Sequence, residues 1–222
     1  MNDLIEKYLD YLKYERKLSD NTYLSYKYNL QEFFCFLNEK DLLKVSTDEI
    51  REFLYQDKYD AKTRAHYLTV INSFYQFLIE NNYLKDNPVE TIKLPKLSKK
   101  LPEYLTIEEV DKILNINPHN PFDYRNIAML ETMYGCGLRV SELVNLKLEN
   151  IDFDECIIRI FGKGSKERIV PMNDLTKNAL INYIDNYRSF LLKLKTSDYV
   201  FINNFGNNIS RQGFFKILKK NM

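Results

Sequence analysis

Two short runs carry side chains that could act on an anion. In Gly162-Lys163-Gly164-Ser165-Lys166, two lysines sit among two glycines. The flanking runs, Cys156 to Phe161 and Arg168 to Val170, are rich in β-branched residues, so the glycine run reads as a hairpin turn. Glycine permits close backbone approach to another surface. A basic hairpin tip is one way to reach into a DNA groove; a plain solvated turn is the other reading. The run is no P-loop, because it lacks the GxxxxGK[ST] spacing and its lysine leads into a strand. The second run holds Arg139, after the helix stop Gly135-Cys136-Gly137 and before Val140-Ser141-Glu142-Leu143. Glu142 is placed to pair with Arg139 at i+3; an unpaired surface arginine at a helix end fits the same pattern. His66 and His119 have no metal-ligand or triad partner in sequence. Cys35, Cys136 and Cys156 form no CxxC, which excludes a zinc-ribbon or disulfide framework and reads as three buried structural thiols. No metal site or cofactor is expected.

The elements that must position these groups fall into two parts. With 222 residues, 45% hydrophobic and 28% charged, the chain can fold as one large domain or two small ones. It has no run of the roughly 20 apolar residues a membrane span needs and no signal-peptide pattern at its start, so a cytoplasmic location is expected. The net charge is only +1, but it is unevenly spread. Residues 1–89 carry 12 Lys and Arg against 15 Asp and Glu; residues 90–222 carry 20 against 16. The basic excess gathers at Lys93, Lys96, Lys99 and Lys100, and again at Arg211, Lys216, Lys219 and Lys220. Contact with a polyanion must then be local and patterned.

Apolar spacing predicts four helices in the first ninety residues. The first runs from Leu4 to Tyr14. The second is capped by Ser19 or Asp20 and runs through Tyr26, Leu30, Phe33 and Leu37. The third is opened by a Ser46–Glu49 capping box, and the fourth covers about 62–80. Together they make a small bundle. Pro88, Pro95 and Pro102 bar a continuous helix through the lysine-containing stretch that follows, which marks a linker. Beyond it, a Thr106–Glu109 capping box heads a helix to about Asn115. Further helices are predicted from Tyr124 to Tyr134, ended by Gly135 and Gly137, and from about Val140 to Leu146. The two hairpin strands come next, then a helix from Leu175 to Tyr187, a short strand at Tyr199 to Ile202, and a last helix capped by Ser210. The aromatic residues, 17 Tyr and 14 Phe, mostly follow the helical core stripes.

With both runs in place, the chain resembles the tyrosine recombinase (phage integrase) family, its bacterial Xer branch most of all. Tyr134-Gly135-Cys136-Gly137-Leu138-Arg139-Val140-Ser141-Glu142-Leu143 is similar to the box around that family's first catalytic arginine. Gly162 to Pro171 resembles the hairpin bearing its catalytic lysine, and 24 residues separate Arg139 from Lys163 as that pairing needs. Leu18-Ser19-Asp20-Asn21-Thr22, followed by Tyr26, Leu30 and Phe33, resembles the family's core-binding helical domain. The linker LPKLSKKLP and the opening Leu105-Thr106 fit as well. The resemblance covers essentially the whole chain.

It implies a mainly α fold with a small antiparallel sheet. Residues 1–88 would form a four-helix SAM-like core-binding domain, 89–102 a linker, and 103–222 part of the catalytic domain. The implied reaction is transesterification on double-stranded DNA gripped between two domains. In the family, a tyrosine attacks the scissile phosphate, and arginines with a His/Trp steady the non-bridging oxygens. The hairpin lysine protonates the leaving 5′ oxygen, with no metal needed. Carried over, Arg139 is the first arginine, Lys163 the general acid, and Glu142 the residue that orients Arg139. DNA contacts are expected from Lys96, Lys99, Lys100, Lys166, Arg168 and Arg211. A homo- or hetero-oligomer on DNA, tetrameric in the intact recombinase, and a part in chromosome partition also follow from the resemblance. One departure is large. The family's HxxR box, later His/Trp and nucleophilic tyrosine would fall beyond the region of Ser210 to Lys220. His66 is followed at +3 by Thr69 and His119 by Phe122, so residues 1–222 hold no HxxR. The 222-residue chain is accordingly expected to stop short of a complete site and to be inactive by itself. The alternative is a non-catalytic DNA-binding fragment or competitor of an intact recombinase.

Overall fold

The computed structural model describes residues 2–93, 104–162 and 167–222. The expected contacts Lys96, Lys99, Lys100, Lys163 and Lys166, and most of the linker, lie outside them. The chain groups into two compact units, Met1–Leu101 and Pro102–Met222. The fold is mainly α with one small antiparallel sheet.

The first unit is built on α1 (Asp3–Asp10), α2 (Asp20–Phe36), α3 (Thr47–Leu54) and α4 (Ala61–Glu80). Local chemistry sets their starts. Asn2 accepts from the Leu4 N–H at 2.9 Å, Asp60 from the Thr63 N–H at 2.7 Å, and the Ser46–Glu49 capping box forms. Ser19 sits at the N-cap of α2, but its hydroxyl meets Thr22 Oγ1 at 2.9 Å and caps no backbone N–H. The predicted first helix ends early. A π turn takes over at Tyr11–Glu15, closed by the Arg16 N–H on the Tyr11 carbonyl, and Lys17 then turns the chain at φ +48°. Aromatic rings fill the core: Tyr8 packs on Phe74 and Phe77, and Phe53 on Phe33, Tyr59 and Tyr67. Glu32 fastens one edge, accepting from Tyr59 at 2.7 Å, Lys58 at 2.9 Å and Tyr67. His66 Nε2 pairs with Ser25 Oγ at 3.1 Å.

The second unit holds α5 (Ile107–Leu114), α6 (Pro121–Cys136), α7 (Val140–Val144), α8 (Asp174–Asn186), α9 (Arg188–Leu192) and α10 (Arg211–Asn221). Its sheet is a meander of β1 (Ile151–Asp152), β2 (Ile157–Phe161) and β3 (Glu167–Pro171), with Ile160 opposite Arg168. The two expected strands are present, and the two-residue β1 was not anticipated. Of the two glycines expected to stop α6, only Gly137 does so, at φ +59°. Gly135 stays inside the helix, where it permits close approach to α8. A Cβ built there would overlap the Oγ1 of Thr176, a buried residue whose hydroxyl donates to the Glu131 carbonyl at 3.1 Å. Gly135→Ala should therefore destabilise the second unit by about 1–3 kcal/mol despite alanine's better helix propensity. A thermal melt showing equal or greater stability would rule out this packing role.

The strand expected at Tyr199 to Ile202 is replaced by two isolated bridges, Lys147 with Tyr199 and Ile202 with Asn208. Two buried arginines explain the difference. Arg188 donates to the carbonyls of Ser197 (2.6 Å), Tyr199 (2.7 Å) and Val200 (3.2 Å), and Arg125 donates to that of Ile202 (2.9 Å). Guanidinium groups thus occupy acceptors that a sheet ladder would have used. The expectation of three buried thiols holds for one. Cys136 is buried, which pushes its thiol up to about 11; Cys35 is exposed on α2, and Cys156 is half-buried in the β1–β2 turn at φ +55°.

Candidate functional site

The site grows from the sharp end of α6. Gly137 reverses the chain, and the Leu138 N–H closes back on the Met133 carbonyl at 3.2 Å. Buried Leu138 anchors the turn, so Arg139 emerges at the N-cap of α7 with its side chain mostly in solvent. Three residues on, Glu142 turns back. Its Oε2 accepts from the Arg139 backbone N–H at 2.9 Å, and its Oε1 accepts from Arg139 Nη1 at 2.9 Å. The i+3 pairing read from sequence is present.

A third member comes from the sheet. Arg168 lies on β3, and its guanidinium meets the same carboxylate in a two-point fork. Nη1 donates to Oε1 and Nη2 to Oε2, each at 2.7 Å. Only 9% of the Glu142 side chain is exposed, against 74% for Arg139 and 38% for Arg168. Hydrogen bonds from Arg168 hold the Glu142 carboxyl down at about 2, against the opposing effect of burial; the Arg139 backbone and side chain assist. One carboxylate thus serves two guanidinium groups, and the cluster keeps one formal positive charge, carried outward on Arg139.

Beside the cluster, a groove of about 480 Å³ runs between α7 and β2, lined by Ser141, Glu142, Asn145, Lys147, Arg159 and Phe161. The cluster sits at the base of the hairpin whose loop carries Lys163 and Lys166, five and two positions before Arg168 in sequence. Arg211 heads α10 and is exposed to solvent. Among the described residues no group of three or more His, Cys, Asp or Glu is arranged to hold a metal ion. No described helix is long and apolar enough to cross a membrane.

Sequence reasoning placed Arg168 at the DNA and missed its pairing with Glu142. The burial pattern of β3 in the structure shows how the pairing arises. Arg168 and Val170 alternate with the exposed Glu167, Ile169 and Pro171, which puts Arg168 on the inward face of β3. It also passed over Arg125 and Arg188, although Arg125, Ala128, Met129 and Thr132 form one buried helical stripe.

Comparison with known proteins identifies the family and the fold. Residues 103–222 match the phage integrase family, and residues 5–82 match the phage integrase N-terminal SAM-like domain. The chain is 40% identical over 223 residues to "Tyrosine recombinase XerD" of Oceanobacillus iheyensis, covering 97% of this chain and 75% of that protein. It is 36% identical over 228 residues to the protein of the same name from Halalkalibacterium halodurans, covering 99% and 76%. Among solved structures, a lambda integrase dimer bound to a COC′ core site superposes with a TM-score of 0.74 at 17% identity, covering all of this chain and 77% of that one. XerH recombinase bound to its difH substrate before cleavage gives 0.70 at 19% identity, covering 98% and 66%. The fold, the motifs around Arg139 and Lys163, and the match along nearly the whole chain lead to one assignment: this chain belongs to the tyrosine recombinases of the phage integrase family.

Proposed function

We propose that the chain acts in site-specific DNA recombination of the Xer type, with residues 1–88 and 103–222 as the two domains that grip duplex DNA. The observation that carries this reading is the outward-facing Arg139, held by Glu142 beside the base of the Lys163 loop. Arg139 contacts non-bridging oxygens of the scissile phosphate, where a planar fork of N–H donors suits the geometry. Lys163 protonates the departing 5′ oxygen. Lys96, Lys99, Lys100, Lys166 and Arg211 supply backbone contacts. The working form is an oligomer on DNA, in the cytoplasm and with a role in chromosome partition. Relatives named as Xer recombinases and neighbours solved on DNA support this assignment. The second reading, DNA binding without cleavage, is favoured for residues 1–222 taken alone, because they hold no HxxR box.

Salt dependence tests the interface. Phosphate contacts release counterions, so affinity for duplex DNA should fall steeply as salt rises. Neutralising Lys96, Lys99 and Lys100 together should make the log–log slope shallower by about 3, near 0.9 for each phosphate no longer neutralised. An unchanged slope removes the linker lysines from the interface. A wild-type affinity insensitive to salt defeats the DNA reading itself.

A further inference from the structure

We propose that Arg168 is a positioning residue and no DNA contact: it saturates the Glu142 carboxylate so that Arg139 is held in place with its charge left free for a phosphate. The inference rests on the recombinase reading above for the identity of that anion.

Geometry separates the two arginines. Arg168 takes both oxygens of Glu142 through both of its terminal nitrogens, at 2.7 Å each. Arg139 spends one side-chain nitrogen on the same carboxylate, at 2.9 Å, and is 74% exposed. Without Arg168, Glu142 and Arg139 would form an isolated i, i+3 ion pair of zero net charge. Such a pair attracts a phosphate poorly, since the carboxylate repels it and competes for the guanidinium. With Arg168 present, the carboxylate is compensated from the sheet side. Glu142 then acts as a rigid hydrogen-bond acceptor that aims Arg139 without cancelling it. Arg168 also spans two parts of the site, since it stands on the strand leaving the Lys163 loop while Glu142 stands on the helix that begins at Arg139. The pairing therefore ties the base of the lysine loop to the arginine.

The test is a set of variants of the 222-residue protein, read by affinity for a short duplex DNA at fixed salt. Arg168→Gln should weaken binding by about threefold, the share of one phosphate contact. In an Arg139→Gln background, Arg168→Gln should add nothing, because it acts only through Arg139. Adding Glu142→Gln to Arg168→Gln should restore affinity, since no carboxylate is left to quench Arg139. A further loss from Arg168→Gln in the Arg139→Gln background overturns the proposal, as a direct phosphate contact would give that result. A second arm needs no DNA. The Glu142 carboxyl, followed by carbon NMR, should titrate near 2 in the wild type and rise toward the ordinary carboxylate range in Arg168→Gln. A carboxyl that stays low without Arg168 also overturns the proposal. If no variant or wild type binds DNA, the recombinase reading fails and the titration arm alone judges Arg168. Should Arg168→Gln not fold, Arg168→Lys takes its place. It keeps the charge but loses the fork, so it should raise the Glu142 titration part of the way; no rise overturns the proposal.

Discussion

Residues 1–222 joined to the C-terminal segment of a curated relative should form a covalent adduct on a suicide DNA substrate, while residues 1–222 alone should form none. In the joined protein, Arg139→Ala and Lys163→Ala should each slow cleavage by roughly two to four orders of magnitude, the usual loss for one charged group of a phosphoryl-transfer site. Their failures should differ in kind. In the proposed mechanism Arg139 acts on non-bridging oxygens, whatever the leaving group. Arg139→Lys should rescue little, because an ammonium offers no planar fork. In the same proposal Lys163 acts on the 5′ oxygen, and a 5′-phosphorothiolate leaving group scarcely needs a proton. Cleavage by Lys163→Ala should recover on that substrate and cleavage by Arg139→Ala should not. Equal recovery of both, or of neither, would remove the general-acid role from Lys163 and make Lys166 the next candidate. An adduct from residues 1–222 alone would mean that one of the tyrosines present acts at an unforeseen place.

Arg188→Met should cost the second unit about 3 kcal/mol and lower its thermal midpoint by roughly 10 °C. The side chain is buried, with 7% exposure, and serves the carbonyls of Ser197, Tyr199 and Val200. Methionine fills similar volume but donates nothing, so these acceptors lose their partner in a place where water cannot fully replace it. The penalty is partly offset because a buried cation is removed along with its own desolvation cost. Arg188→Lys should fall between the two, since an ammonium keeps three donors but not their planar spread. A midpoint within about 2 °C of wild type for Arg188→Met would show that the hydrogen bonds from Arg188 add little to the hold on the 197–202 segment.

Much of the fold was legible because local rules acted without competition. Capping boxes at Ser46 and Thr106 and the left-handed Gly137 marked helix ends correctly. Arg139 and Glu142 were legible as a pair because three positions along a helix place them side by side. The failures came where a distant partner overrode local pattern. Tyr199 to Ile202 has strand chemistry, but Arg188 and Arg125 claim its carbonyls. Gly135 looks like a stop, yet it serves the helix packed across from it. Arg168 looked like a groove-facing cation because its basic neighbours are on the same hairpin. Its fork with Glu142 was not legible, because that partner lies 26 positions away on another element.

The cluster at α7 also has a bearing on how the site is lost. Helix α7 has five residues, too few to persist without tertiary support. The pair Arg139–Glu142 is local, but the fork that secures it closes a loop of 26 residues through the sheet. Amides of α7 and of the β2–β3 hairpin should accordingly open to hydrogen exchange together, as one cooperative foldon. Mild heat would then dismantle the arrangement around Arg139 in a single step, before the rest of the helical framework melts, whereas acid would reach it only near the Glu142 titration at about 2.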